Sequence, residues 1–191
     1  VKADGYGHGD VPVAEAALEA GAGRLAVALL SEGIRLREAG IDAPILLLSE
    51  PPPEDVGQLV CWDLTPTAYH TGFVAALAAA APGGHPCHVK VDTGMHRVGA
   101  GHDEARDVVK AIDVVSVDLE GVWTHLAVAE TDQAYTSQQL SRFADFVEAV
   151  RRADIDPGIV HAANTAGSLG HPAARLDMVR AGIGIYGLRP A

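Results

Sequence analysis

The amino-acid sequence predicts an α/β fold, a (β/α)8 TIM-like barrel. Short apolar runs alternate with longer amphipathic ones along the whole chain, and neither a linker nor a repeat interrupts them. The apolar runs are nearly continuous, as expected of parallel strands covered on both faces. Seven such runs, with a stub at Val1–Ala3, bring the count to eight. An open doubly wound sheet fits the alternation too, but the count of eight favours the barrel.

The predicted strands after the stub are Arg24–Leu30, Ile45–Ser49, Val60–Thr65, Cys87–Asp92, Leu119–His125 and Gly158–Ala162, with a last one from Asp177 to Tyr186. Between them the pattern predicts helices. Val11–Glu19 has Ala, Val and Leu at helical spacing and stops before Gly21, a residue suited to a helix C-cap. Ser31–Ala39 opens on a candidate N-cap serine and stops at Gly40. Thr67–Ala81 is rich in alanine and closes at Pro82-Gly83. Asp103–Ile112 follows, then Asp132–Arg152, which carries Leu140, Phe143, Phe146, Val147 and Val150 on one face. Pro51-Pro52-Pro53 reads as a loop. The chain begins inside a predicted strand and ends just after another, so residues 1–191 are expected to be one domain, excerpted from a longer protein and truncated at its first strand.

Composition excludes some functions. With 25 acidic residues against 14 basic ones the formal net charge is −11, which repels nucleic-acid phosphates and anionic membrane surfaces. No apolar stretch has the length of a membrane span. Cys61 and Cys87 lie apart in runs read as strands and form neither a disulfide framework nor a zinc site, so a cytoplasmic location is expected. His70, His85, His88, His102 and His171 read as surface or loop residues, and no pair of histidines has zinc-ligand spacing beside a carboxylate, so no metal is expected. The lysines are three, Lys2, Lys90 and Lys110, against eleven arginines. A sequence that uses arginine for most of its cations keeps lysine where a nucleophilic amine is required, because a guanidinium cannot form a Schiff base.

Catalytic groups of a barrel project from the C-terminal ends of its strands and from the loops beyond. At those positions stand Lys2, then Lys90 with Asp92 and Arg97, then His125, His161 with Asn164, and Arg180. Lys2 is followed by Ala3-Asp4-Gly5-Tyr6-Gly7-His8-Gly9, a glycine-rich loop that lets backbone approach a ligand. Asn164-Thr165-Ala166-Gly167-Ser168 can open a helix towards an anion. With Gly182-Ile183 it occupies the place where such barrels hold phosphate, after strands seven and eight. Gly182-x-Gly184-x-x-Gly187 matches a dinucleotide pattern but falls across a predicted strand rather than opening a helix.

Four stretches together resemble the alanine racemase family. They are Val1-Lys2-Ala3-Asp4-Gly5-Tyr6-Gly7-His8-Gly9, Lys90-Val91-Asp92-Thr93-Gly94-Met95-His96-Arg97, His161-Ala162-Ala163-Asn164-Thr165 and Met178-Val179-Arg180-Ala181-Gly182-Ile183-Gly184-Ile185-Tyr186-Gly187. They come in the family's order and span the chain. The resemblance implies a pyridoxal 5'-phosphate enzyme interconverting L- and D-alanine by a two-base mechanism, supplying D-alanine for peptidoglycan. Lys2 would bind the cofactor covalently and serve as one base. The other would be a tyrosine from a C-terminal β domain of the partner subunit in a homodimer, and none of this chain's four tyrosines matches it. Arg180 would face the pyridine nitrogen, His161 would position Arg180, and His125 would pack on the ring. Tyr6, Asn164, Thr165, Gly182 and Ile183 would bind the cofactor, chiefly at its phosphate. Arg97 would take the substrate carboxylate, and Lys90, carbamylated, would pair with Arg97, although an ion pair with Asp92 explains Lys90 equally. A barrel-type decarboxylase, a broad-specificity racemase, a cofactor-homeostasis protein and a non-catalytic binding barrel are the competing readings.

Overall fold

The computed structural model describes residues 1–190. Its six strands are parallel: β1 (Leu25–Val27), β2 (Ile45–Leu47), β3 (Thr67–Ala68), β4 (Pro86–Lys90), β5 (Asp118–Trp123) and β6 (Ile159–His161). Ladders join β1 to β2 and β3 through β6 in chain order. Thr65 spans the gap between these two sheets, donating to Ile45 O at 2.9 Å and accepting from Leu47 N at 2.8 Å. Two outer staves are single-residue contacts. The Val1 amino group donates to Ala26 O at 2.8 Å, and Met178 bridges to His161. Eight positions therefore surround one axis, and the (β/α)8 barrel expected from the alternation is the fold.

The helices are α1 (Lys2–Gly7), α2 (Asp10–Glu19), α3 (Leu30–Glu38), α4 (Val56–Cys61), α5 (Thr71–Ala80), α6 (His102–Asp113), α7 (Gln133–Arg152) and α8 (Thr165–Gly170). Burial follows the sequence pattern in the long ones. In α7, Phe143, Phe146, Val147 and Val150 are buried, and Asp132 caps the helix by accepting from Tyr135 N at 2.8 Å. Leu36, Leu47, Leu59 and Leu77 fill the same core, each such side chain adding roughly 1.5–3 kcal/mol on burial.

Four expectations require correction. Val60–Thr65 is not a strand: Val56–Cys61 is helix α4, with Val56 and Leu59 on its buried face, and only Thr65 joins the sheet. Short apolar runs fit either period, and here the helix wins. Cys61 consequently lies exposed on a helix, whereas Cys87 is buried in β4 as expected. The helix expected from Thr67 starts at Thr71, because Thr67 and Ala68 are β3. Ser31 lies inside α3 rather than capping it. The Ala28 and Leu29 N–H groups are instead capped by Glu32 Oε2, at 2.7 and 3.0 Å. Finally, Asp177–Tyr186 is no strand. After Met178 the chain leaves the sheet, and Ile183–Tyr186 forms a 3-10 turn with Ile183 and Ile185 exposed.

The glycine-rich segment after Lys2 is a held structure rather than a loose loop. Ala3, Asp4, Gly5 and Tyr6 all have φ between 53° and 57°, so α1 is one turn of left-handed helix. Three of these residues are not glycine, and each pays roughly 1–2 kcal/mol for that handedness. The turn is pinned from outside. Glu32 Oε1 accepts from Ala3 N at 2.6 Å, Asp4 O accepts from Gly9 N at 3.0 Å, and Asp4 Oδ1 accepts from Asp10 N at 3.1 Å.

Candidate active site

A cavity of about 590 Å³ opens at the C-terminal ends of the strands. Lys2, Tyr6, Lys90, Arg97, His125, Asn164, Thr165, Arg180, Gly182 and Ile183 all line it, so ten of the eleven residues to which the resemblance assigns a role converge on one space. The eleventh, His161, is fully buried behind Arg180.

Arg180 is fixed at the cavity floor. Its Nη2 donates to Thr124 O at 2.7 Å and Ala162 O at 2.9 Å, and its Nη1 donates to His161 Nδ1. Its guanidinium carbon lies 4.5 Å from the centre of the Trp123 ring, whose other neighbours include the stacked His161 ring. Desolvation lowers the Arg180 pKa to about 9. His125, beside it, is pushed down to about 3 by burial and then by the Arg180 and Arg97 charges, so its ring is neutral. A guanidinium has five N–H donors. Those not engaged here remain for a ligand atom with a lone pair.

At one wall α8 begins. Asn164 Oδ1 accepts from Gly167 N at 2.8 Å, which caps the helix as the sequence suggested and occupies the oxygen of a side chain expected to bind a ligand. Thr165 Oγ1 accepts from Gly182 N at 2.9 Å and Gly184 N at 3.3 Å. With its lone pairs taken, the hydroxyl proton is left to donate, which suits an anion. Gly184 admits nothing larger, since a Cβ there would stand 2.7 Å from Thr165 Cγ2.

Across the cavity the Lys2 ammonium lies 5.0 Å from the centre of the Tyr6 ring. Lys90 is almost fully buried, donates to Val98 O and lies 5.2 Å from the Trp123 ring centre. Burial, opposed by the Asp92 charge and reinforced by the weaker Arg180 and Arg97 charges, lowers its pKa to about 8. Asp92 is not its ion-pair partner: the carboxylate accepts from the Gly94, Met95 and His96 N–H groups at 2.8–2.9 Å and shapes the loop that carries Arg97. Burial would raise the Asp92 pKa, but these backbone bonds hold it below the ordinary carboxylate value.

Sequence reasoning overlooked four supporting residues. Glu32 pins the turn beside Lys2, and Trp123 forms the floor under Arg180. His88, read as a surface or loop residue, is wholly buried in the barrel and contacts His161, and Glu120 backs it. His88 stands two residues before Lys90, so strand alternation turned both towards the axis and was the available signal. Among the described residues no group of acidic, histidine and cysteine side chains could hold a metal ion.

An α/β barrel that gathers an amine, a hydroxyl free to donate and a half-buried arginine at its strand ends defines a domain with a cavity for a small polar ligand. The chain belongs to the family described as alanine racemase, N-terminal domain, whose model matches residues 1–190. It is 43% identical to an alanine racemase of Treponema denticola, covering all of this chain and 52% of that protein. It is 45% identical to alanine racemase 2 of Oceanobacillus iheyensis, covering all of this chain and 50% of that protein. Among solved structures, alanine racemase of Clostridium difficile 630 in complex with cycloserine superposes with a TM-score of 0.95 at 34% identity, over all of this chain and 54% of the other. The Bacillus anthracis enzyme with bound L-Ala-P gives 0.93 at 38%, over all of this chain and 51% of the other. The chain thus spans about half the length of the curated relatives it matches.

Proposed function

We propose that residues 1–191 are the cofactor-binding barrel domain of a pyridoxal 5'-phosphate-dependent alanine racemase, acting in the cytoplasm and supplying D-alanine for peptidoglycan. The observation that carries this reading is the convergence of Lys2, Thr165 and Arg180 on one cavity. An amine able to bind an aldehyde, a hydroxyl directed at an anion and a cation with free donors form a set that fits the cofactor's aldehyde, phosphate and pyridine nitrogen. Among the described residues no helix is long and apolar enough to cross a membrane.

When bound, pyridoxal phosphate supplies the electron sink that makes the alanine Cα proton removable. Lys2 would hold the cofactor, and its amine would take or return that proton on one face. Thr165, with the Gly182–Ile183 backbone, Tyr6 and Asn164, secures the phosphate. Arg97 binds the substrate carboxylate, and Lys90, whose amine is neutral often enough to capture carbon dioxide, pairs with Arg97 as a carbamate. Arg180 would donate to the pyridine nitrogen. A guanidinium beside that nitrogen keeps it unprotonated, because two adjacent cations repel. His125 packs on the ring and His161 positions Arg180. Racemisation needs a base on each face of Cα. The second comes from the partner subunit of a homodimer, outside these residues.

The test is borohydride reduction of the cofactor-loaded protein followed by peptide mapping, alongside an assay of L- to D-alanine conversion. Label on the Lys2 peptide with alanine racemised is the expected result. Label on Lys90 or Lys110 would overturn the assignment of the cofactor lysine, and absence of conversion by the full-length protein would overturn the racemase.

A further inference from the structure

Arg180 does not end at His161. His161 Nε2 lies 2.9 Å from His88 Nδ1, and His88 Nε2 lies 3.0 Å from Glu120 Oε2. The Glu120 carboxylate is in turn gripped by both terminal nitrogens of Arg24, at 2.7 and 2.6 Å. A hydrogen-bonded file thus runs through the barrel interior, from a pair that is about a quarter exposed, Arg24 and Glu120, to the floor of the cavity. Both imidazoles are fully buried.

The chemistry of its two ends fixes every proton between them. A guanidinium only donates, so His161 Nδ1 must be bare. A neutral His161 then carries its proton on Nε2 and donates it to His88, whose Nδ1 must also be bare. His88 carries its proton on Nε2 and donates it to Glu120, which only accepts. The directions agree along the whole file. A proton added to either ring would set two donors face to face. In keeping with this, burial first, together with nearby cations, holds both histidines below the ordinary histidine value despite the carboxylate beside His88.

We propose that Glu120, clamped by Arg24, is a positioning residue. Through the Nε2–H tautomers of His88 and His161 it presents a bare Nδ1 to Arg180 and holds that guanidinium in place at the cavity floor. The carboxylate polarises both rings in the same sense, which strengthens the last acceptor against the cation. Without a carboxylate the file can reverse. An amide at position 120 can donate to His88 Nε2, both rings then shift to Nδ1–H, and His161 turns a donor against Arg180. What this does to catalysis rests on the reading of Arg180 as the partner of the pyridine nitrogen. The tautomers themselves do not.

The experiment reads the tautomers directly. In ¹⁵N-labelled full-length protein, long-range ¹H–¹⁵N spectra distinguish bare from protonated ring nitrogens, first without cofactor and then with it. Wild type is expected to show Nε2–H on both rings. Glu120→Gln and His88→Leu are expected to move His161 to a mixture or to Nδ1–H. His88→Gln is expected to keep the wild-type His161 signal, because a glutamine can accept from His161 and donate to Glu120. With cofactor, Glu120→Gln should lower kcat about tenfold or more and change KM by less than about threefold. A proton on Nδ1 of either ring in wild type would overturn the proposal without needing a variant. So would an unchanged His161 signal in both Glu120→Gln and His88→Leu, and if one of these fails to fold the other decides. If the tautomers switch as expected but kcat holds, the file stands and the role given to Arg180 in the reaction falls.

Discussion

Thr165 shows how far a single side chain could be read from sequence. Its place after the sixth observed strand, before a run of small residues, marked it for an anion, and its hydroxyl does face the cavity with both lone pairs occupied by Gly182 and Gly184. Thr165→Val keeps the shape and removes the donor. A hydrogen bond to a charged group is worth about 1.5–3 kcal/mol, so the cofactor should dissociate roughly ten- to a hundredfold more readily, while kcat at saturating cofactor stays near wild type. Equilibrium titration followed by visible absorbance checks this, and an unchanged Kd would remove Thr165 from the phosphate site. The place of Thr165, Lys2 and Arg180 on the cavity was legible because each stands in a motif with a chemical type to match. Glu32, His88, Trp123 and Glu120 were not, because each works through another side chain, and only the fold sets that neighbour. Lys90 falls between. Its position was legible, but its weakened hold on a proton depends on burial that no spacing reveals.

Among the elements, long amphipathic helices were read well and short segments poorly. Helix α7 has five turns over which a periodic apolar face can declare itself, whereas α4 has six residues, too few to separate helical from strand spacing. The last predicted strand failed for a different reason. Most of its residues are apolar or glycine, yet Gly182 and Gly184 let the chain coil towards Thr165 instead of extending along β6. Glycine has the opposite role inside β5. A Cβ on Gly121 would lie 2.6 Å from Ile159 O and 2.7 Å from His88 Cε1, so its absence is what lets the His88 ring lie against the strand and reach Glu120. The strand stub at Val1 was correct in position, but no residue pattern marks the reversal of hand immediately after it.

At the scale of the whole molecule, the barrel buries neutral imidazoles where an unfolded chain would leave them free to protonate. His88 and His161 are held below the ordinary value of 6.5, and His125 is lowered to about 3, burial being the first cause in each. Between the folded and unfolded values the unfolded chain binds more protons, so stability rises with pH in that window. The contribution is complete above about pH 6.5 and is lost as pH falls below it, at up to about 1.4 kcal/mol per pH unit for each histidine. Glu120, lowered to about 2 by His88 and Arg24 together, adds stability that is present above 4.5 and is lost as pH falls towards 2. The urea midpoint should therefore drop steadily from about pH 6.5 to about pH 5, before most carboxylates titrate. A midpoint that stays level across that interval would contradict the neutral histidines. Handedness is the other property of the whole. Among the described residues the helices are right-handed with one exception, the turn from Lys2 to Gly7, where L-residues occupy a conformation that mirror-image residues prefer. Chirality, then, is a local instruction here and not a global one. A protein assembled by ligation with D-alanine in place of Ala3 should be more stable than the natural chain, by roughly 1–2 kcal/mol, and a lower melting temperature for it would show that the turn is not under that strain.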